Sequence, residues 1–95
     1  RNGDGLMVYK VKDGFVLRKI GPQVMAVPVG KLTSEIHGMI ALSESGALLW
    51  NLLLEGTDKE KLVDALLEEY ETDRQTADTD VDKFINGLKE QGALE

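Results

Sequence analysis

The spacing of apolar residues changes character near the middle of the chain. Before residue 43, short runs of β-forming residues are separated by Gly- and Pro-containing turns. After it, apolar residues recur at intervals of three and four, which is the period of a helix buried along one side. The sequence therefore predicts an α+β domain with strands in its first half and helices in its second.

Two runs in the first half are predicted to pair as a hairpin. Residues 14–20 (GFVLRKI) and 24–29 (VMAVPV) are rich in β-forming residues, and Gly21-Pro22-Gln23 between them is a turn sequence. Pro28 has no backbone N–H to donate, so we expect it near a strand end or on a sheet edge.

Residues 35–42 (EIHGMIAL) are predicted to form the third strand of a small antiparallel sheet. Successive side chains of a strand point to opposite faces. The two faces of this strand would carry Ile36, Ile40 and Leu42 on one side and His37, Met39 and Ala41 on the other. Gly38 has no side chain, so another backbone could approach it closely.

Capping residues mark the first two helices. Ser43 is a suitable N-cap for the first helix, which buries Trp50 among leucines and is predicted to end at Gly56. The capping-box sequence of residues 57–60 (TDKE) then predicts the start of a second amphipathic helix, beginning with Thr57 as its cap.

The third helix is predicted to begin after Asp73 and to stop at Gly92. Its core stripe is expected to contain Ala77, Val81, Phe84 and Leu88, which recur at intervals of four, three and four. A small three-stranded antiparallel sheet followed by three helices resembles the architecture of winged-helix proteins.

Length and composition fit one small domain. The chain has 95 residues, of which 42% are hydrophobic. We expect residues 7–95 to form that domain and residues 1–6 (RNGDGL) to be a disordered tail or a remnant of cloning. No apolar run approaches the roughly 20 residues of a membrane-spanning helix, and no signal-peptide core is visible. Together with the absence of cysteine, this predicts a cytoplasmic protein that does not enter a membrane.

Catalytic and metal-binding chemistry is poorly provided for. The chain has no Cys and one His, which argues against thiolate, His-rich or nucleophilic sites. Residues 78–82 (DTDVD) begin like a calcium loop, but Lys83 stands where that loop needs glycine and Lys89 where it needs glutamate. The sequence indicates no His that could act as a general base for Ser43 or Ser45. We therefore expect a protein that is not an enzyme and that uses no cofactor or metal.

Two binding roles remain open for a domain of this architecture. A winged-helix architecture invites DNA binding, but a net charge of −6 and the acidic residues around Lys83 and Lys89 disfavour it, so we expect no nucleic-acid partner. An open strand edge would also allow a self-associating module, a homodimer formed by strand pairing or exchange between copies.

Two segments carry a family resemblance. Residues 14–18 (GFVLR) and 40–53 (IALSESGALLWNLL) resemble the PqqD family, which is named for a protein of pyrroloquinoline quinone biosynthesis. The family pattern of Ser/Thr-Gly, an apolar pair and Trp is matched by Ser45-Gly46 and Trp50. Residues 62–70, 80–88 and 92–94 continue the match, so the resemblance covers about residues 14–95.

The resemblance implies a RiPP recognition element, a peptide chaperone for ribosomally made precursor peptides. Such a domain binds the precursor's leader segment and presents it to a tailoring enzyme, often a radical S-adenosylmethionine (radical SAM) enzyme. The leader is implied to add as a strand along the third strand, in the groove beside the third helix. An open strand edge has unpaired N–H and C=O groups, so this mode is physically compatible.

The predicted peptide-binding residues come from these two elements. On the third helix, Ile85 lies off the predicted core stripe and is expected to anchor a side chain of the leader. The full set comprises Glu35, Ile36, His37, Gly38, Met39, Ile40 and Ala41 of the third strand, and Asp78, Asp82, Ile85 and Lys89 of the third helix.

Overall fold

The computed structural model describes residues 7–95 and contains two small antiparallel sheets and three helices. A three-stranded sheet has the order β2-β3-β4, and a separate two-stranded sheet pairs β1 with β5. The prediction of a small antiparallel sheet followed by three helices is confirmed. The elements are β1 (Val8–Tyr9), β2 (Phe15–Ile20), β3 (Gln23–Pro28), β4 (Ile40–Leu42), α1 (Glu44–Leu53), β5 (Thr57–Asp58), α2 (Lys59–Glu69) and α3 (Arg74–Glu90).

Strands β2 and β3 form the predicted hairpin. Their register pairs Ile20 with Gln23 across a two-residue turn, in which Gly21 has a φ of +63°. Tight hairpin turns of this length need a positive φ, which glycine adopts without steric cost. The N–H of Val29 donates to the carbonyl of Gly14 at 2.7 Å, which fixes the pairs that carry the ladder hydrogen bonds.

Strand β4 is shorter than the sequence predicted. It covers Ile40–Leu42 only, so the prediction of a strand over residues 35–42 is wrong for residues 35–39. The reason lies in the partner strand. Successive residues of β3 direct their backbone N–H and C=O groups alternately toward β2 and toward β4. Because Val29 bonds to Gly14 on the β2 side, the backbone groups of Pro28 point toward β4. Pro28 has no N–H to offer, so the ladder ends after the Ala26–Ile40 pair.

The chain between β3 and β4 is compact rather than extended. Residues Gly30–Ser34 form a 3₁₀ helix, which buries Leu32. Ile36 is buried as well, although it lies outside any strand. Gly38 then takes a φ of +137°, which a strand residue does not adopt, and the backbone becomes extended again only at Ile40.

The core lies between one face of the three-stranded sheet and the three helices. Ala26, Ile40 and Leu42 contribute from the sheet, and all three are buried. Trp50 of α1 is 1% exposed, which confirms its predicted place in the core. Phe15 of β2 packs edge-on against the Trp50 ring and so fastens the hairpin to the helices.

The helices begin at side-chain caps. Ser43 and Asp73 cap α1 and α3 as predicted, accepting hydrogen bonds from the backbone N–H groups of Gly46 and Thr76. The cap of α2 is Asp58 rather than Thr57: the Asp58 carboxylate accepts a hydrogen bond from the backbone N–H of Lys61 at 2.8 Å. Helix α1 ends at Leu53, three residues earlier than the predicted stop.

The end of α3 folds back on the N-terminal segment. The N–H of Gly92 donates to the carbonyl of Lys89 at 3.0 Å and that of Ala93 to the carbonyl of Leu88 at 2.9 Å. This pair of bonds is the Schellman arrangement, and the φ of +74° at Gly92 makes it possible. Leu94 then forms an antiparallel bridge with Val11.

Candidate functional site

The open edge of β4 is the first component of the site. Strand β4 pairs with β3 alone, so its other edge has no strand beside it within residues 7–95. Val24 and Ala26, like Pro28, direct their backbone groups toward β4, so their partners Leu42 and Ile40 carry the hydrogen bonds between β3 and β4. The N–H and C=O of Ala41 therefore point out of the sheet, and no hydrogen bond within the described residues reaches them. The predicted strand edge is confirmed, with Ala41 at its centre.

Phe84 of α3 lies near the end of β4. A Cβ placed on Gly46 would lie 3.2 Å from Cε1 of Phe84 and 3.8 Å from Cδ2 of Leu42. The glycine of the Ser45-Gly46 pair thus lets α3 and the end of β4 approach the same point on α1. Phe84 is half-buried and keeps part of its ring accessible beside β4.

A cavity opens where β4 runs into α1. It has a volume of about 330 Å³ and is lined by Ser43, Glu44, Ser45, Leu66, Tyr70, Thr72 and Asp80. Asp80 lies one helical turn before Phe84, so the cavity lies beside the start of α1 and the first half of α3. Burial, together with the nearby carboxylates of Glu44 and Glu69, raises the pKa of Tyr70. The cavity therefore has a polar, anionic rim and an apolar floor at Leu66.

The predicted residues of α3 make contacts within the domain. Ile85 is 4% exposed and belongs to the core, so the expectation that it lies off the core stripe is wrong. Asp78 and Asp82 both contact the ammonium of Lys59, at 3.0 and 2.7 Å, and so point toward the start of α2. The Lys89 ammonium lies 5.4 Å from the centroid of the Tyr9 ring, next to β1.

A one-residue rotation of the helical stripe explains this difference. The spacing in α3 is satisfied equally by Phe84 or by Ile85, because adjacent helical positions differ by about 100°. The structure buries Ala77, Val81, Ile85 and Leu88. Phe84 is left half-buried near the end of β4, and the sequence reasoning had placed it in the core stripe instead. Its signal was the Ser-Gly pair on α1, which implies a bulky neighbour across the glycine.

The alternation predicted over residues 35–42 holds only within β4, where Ile40 and Leu42 are buried and Ala41 is exposed; residues 35–39 lie outside the strand. Ile36 and Ile40 are buried, whereas Glu35, His37, Gly38, Met39 and Ala41 are exposed. Glu35 forms an ion pair with Lys12, with an N–O distance of 3.4 Å. The side chains free to meet a partner at this edge are those of His37, Met39 and Ala41.

Polar and charged side chains of the described residues lie at or near the surface. Within residues 7–95 no polar or charged side chain is buried, and no three carboxylate or imidazole groups lie close enough to share a metal ion. Two cations of α3 are already engaged, Arg74 with Asp64 at 2.9 Å and Lys89 with Tyr9. None of the described helices is long and apolar enough to cross a membrane.

The fold and the site define a small α+β domain with an open sheet edge that has a helix near its end. The chain belongs to the PqqD family: the family model described as "Coenzyme PQQ synthesis protein D (PqqD)" matches residues 24–94. The resemblance seen in the sequence is thereby confirmed.

A solved structure shares the fold closely. The structure titled "TbiB1 in Complex with the TbiA(beta) Leader Peptide" is similar with a TM-score of 0.71 and 30% sequence identity, over 90% of this chain and 94% of that one. In that structure, by its title, TbiB1 is bound to a leader peptide. No curated protein sequence matches this chain significantly.

Proposed function

We propose that this domain binds the leader segment of a ribosomally made precursor peptide by strand addition at β4, and presents it to a modifying enzyme. The observation that carries the proposal is the unpaired backbone of Ala41 at a sheet edge, with Phe84 of α3 near the end of the same strand. Membership of the PqqD family and the similarity to a leader-bound protein support it.

Strand addition would use both components of the site. The backbone of the leader would bond to the N–H and C=O of Ala41, each such bond contributing about 1 kcal/mol. A micromolar complex needs about 8 kcal/mol, so main-chain bonds to a three-residue strand are insufficient. The remainder would come from alternate side chains of the leader entering the groove beside Phe84.

The role is that of a chaperone for the peptide rather than a catalyst. The described residues supply main-chain bonds and apolar contacts but no activated nucleophile or metal site. The chemistry would belong to the partner enzyme, which in this family's pathways is often a radical SAM enzyme. By holding the leader, the domain would keep the rest of the precursor close to that enzyme at a high effective concentration.

The sheet has a second open edge, at β2, which we regard as the competing location. There the alternation points the N–H of Leu17 outward. Leu17, Arg18 and Lys19 are all exposed, as expected for a hairpin edge that no helix lines. Strand addition at β2 would gain main-chain bonds but no apolar groove, so β4 is favoured.

Two proline variants separate the edges. Ala41→Pro and Leu17→Pro each remove one outward N–H, each follows a β-branched residue and neither breaks an internal ladder bond. The ligand would be the leader peptide encoded beside this gene, titrated by calorimetry. We expect Ala41→Pro to weaken binding at least about tenfold, the equivalent of 1.4 kcal/mol, and Leu17→Pro to leave it unchanged.

Amide chemical shifts in the wild-type domain provide an independent map. Shifts on adding the leader should concentrate at residues 39–43 and along the Phe84 side of α3. Loss of binding in Leu17→Pro alone would move the site to β2. Wild-type affinity in both variants, with both folded by circular dichroism, would refute strand addition to this sheet.

A further inference from the structure

The three-stranded sheet has an outer face that is apolar and uncovered. The register places Val16 opposite Val27, and Met25 opposite both Arg18 and Ala41, on the side of the sheet away from the core. Val16 is 39% and Ile20 54% exposed, while Met25 and Val27 are half-buried. We call this surface the outer face; it consists of Val16, Arg18, Ile20, Gln23, Met25, Val27 and Ala41.

The composition of the outer face is unusual for a sheet exposed to water. An antiparallel sheet with one solvated face normally alternates apolar residues inward with polar residues outward. Here Val16, Ile20, Met25 and Val27 point outward, and only Arg18 and Gln23 are polar. Met39, just before β4, adds another apolar side chain that is 52% exposed. Contiguous apolar surface of this kind marks an interaction site.

Charge is distributed unevenly between the strand-containing first half and the helical second half of the domain. Residues 7–42 contain five Lys and Arg against two Asp and Glu, whereas residues 43–95 contain five against fourteen. Lys10 and Lys12 are held in ion pairs, but no carboxylate of the described residues pairs with Arg18, Lys19 or Lys31. Arg18 is the one of these three cations that lies on the outer face, which is thus an apolar surface with a central cation on a domain whose helices are strongly acidic.

These charges select the kind of partner. A patch of carboxylates around an apolar centre would be attracted to the outer face and repelled by the helices, which fixes the orientation of docking. A two-fold pairing of two outer faces would bring like-charged Arg18 side chains together, which disfavours a second copy.

We infer that the outer face docks an acid-rimmed apolar patch of the modifying enzyme, and that a leader bound at β4 completes the docking surface. This inference rests on the proposed function. A leader added beside β4 extends the sheet by one strand, so every second side chain of the leader joins the outer face. The enzyme would therefore contact the domain and its peptide together. Leader and enzyme then strengthen each other's binding by the same factor.

The test uses variants on and off the outer face. Val16→Thr combined with Val27→Thr changes one cross-strand pair while keeping β-branched side chains. Arg18→Glu reverses the central charge. Leu52→Gln is the control, because Leu52 of α1 is an apolar residue of similar exposure (37%) that lies outside the sheet. The probes are the modifying enzyme and the leader peptide encoded beside this gene.

The expected results concern two separate affinities. The enzyme should bind the leader-loaded domain at least about fivefold more tightly than the free domain. The Val16→Thr/Val27→Thr and Arg18→Glu variants should weaken enzyme binding about tenfold or more, with leader affinity within about twofold of wild type. Leu52→Gln should change neither affinity, and added salt should weaken the wild-type complex but not the Arg18→Glu complex.

Each contrary outcome has a distinct meaning. If the leader binds and the enzyme binds the outer-face variants as tightly as wild type, this inference is refuted while the proposed function stands. If no leader binds the wild-type domain, the proposed function fails. A dimer in light scattering that the Val16→Thr/Val27→Thr variant abolishes would assign the outer face to self-association and overturn the inference. Binding to anionic vesicles through Arg18 would also overturn it.

Discussion

Phe15 meets Trp50 edge-on, with ring centroids 5.0 Å apart and ring planes at 88°. This contact joins the two sequence segments that carry the family resemblance, one at the start of β2 and the other in α1. An edge-on aromatic pair contributes about 1 kcal/mol beyond the area that it buries. The hairpin, and with it the sheet that bears the β4 edge, therefore depends on this pair for its position on the helices.

Replacing Phe15 tests that dependence. We expect Phe15→Leu to lower the free energy of unfolding by about 1 kcal/mol, since leucine keeps apolar contact but loses the aromatic edge. Val16→Thr, the neighbouring residue on the opposite and exposed face, should change it by less than about 0.5 kcal/mol. Urea denaturation followed by circular dichroism measures both, and equal effects would contradict a specific role for the pair.

The second prediction concerns Lys59, which joins α2 to α3. Hydrogen bonds to Asp82 and then Asp78 raise the pKa of Lys59 above its ordinary value of 10.5. We expect Lys59→Met to cost about 0.5 kcal/mol, a modest value because all three side chains are at least a third exposed. Lys61→Met, which removes an exposed lysine with no ion pair among the described residues, should cost less.

The raised pKa of Lys59 also fixes a pH dependence. A cation that is more stable in the folded state contributes fully below its unfolded pKa, and the contribution is lost as pH rises through the folded pKa. The difference between wild type and Lys59→Met should thus be constant from neutral pH to about 10 and shrink at higher pH. A difference that persists unchanged in strong alkali would indicate packing of the side chain rather than charge.

The third prediction concerns the cap of α3. The backbone N–H and the hydroxyl of Thr76 hydrogen-bond to Asp73 and lower the pKa of its carboxyl below 3.8. A lowered pKa stabilises the fold above the unfolded value, and that stabilisation disappears as pH falls through the folded value. Asp73→Asn keeps the cap but not the charge, so its melting temperature should be lower than that of wild type at pH 6 and equal to it in strong acid. Asp73→Ala should be less stable at both pH values, by a few degrees.

Two glycines of α3 and its terminus are predicted to respond in opposite directions. Gly92 has a φ of +74° with no atom within 4 Å of an added Cβ, so Gly92→Ala introduces backbone strain of about 1 kcal/mol and nothing else. Gly87 lies inside the helix, also with free space around it. Gly87→Ala should therefore raise the free energy of unfolding by about 0.5–1 kcal/mol. Equal signs for the two variants would contradict this assignment.

The elements that depend on local signals were predictable from the sequence. The caps at Ser43 and Asp73, the turn at Gly21 and the helix stop at Gly92 each follow from the chemistry of one residue and its immediate neighbours. The buried Trp50 also follows from short-range pattern, whereas the open edge at the third strand was implied by the family resemblance. These features were enough to indicate the fold class and the region of the site.

The features that were mispredicted depend on contacts distant in sequence. The late start of β4, at Ile40 rather than residue 35, is decided by Pro28 of the neighbouring strand β3. Only the register of the sheet shows that the backbone of Pro28 points toward β4. The choice between Phe84 and Ile85 is made by the elements that α3 packs against, not by its own spacing. Strands β1 and β5 are two residues each, too short to produce any period.

The Schellman turn and the bridge between Leu94 and Val11 bring the two ends of the domain side by side. The carbonyl of Lys10 accepts a hydrogen bond from the N–H of Glu95 at 2.8 Å, and their side chains form an ion pair. The segment that follows β1 and the last residues of the chain thus lie next to each other on the surface. The domain should therefore tolerate insertion into a surface loop of another protein, because the two ends of that loop can stay close together. A circular permutant with new termini at the Gly21 turn should fold as well.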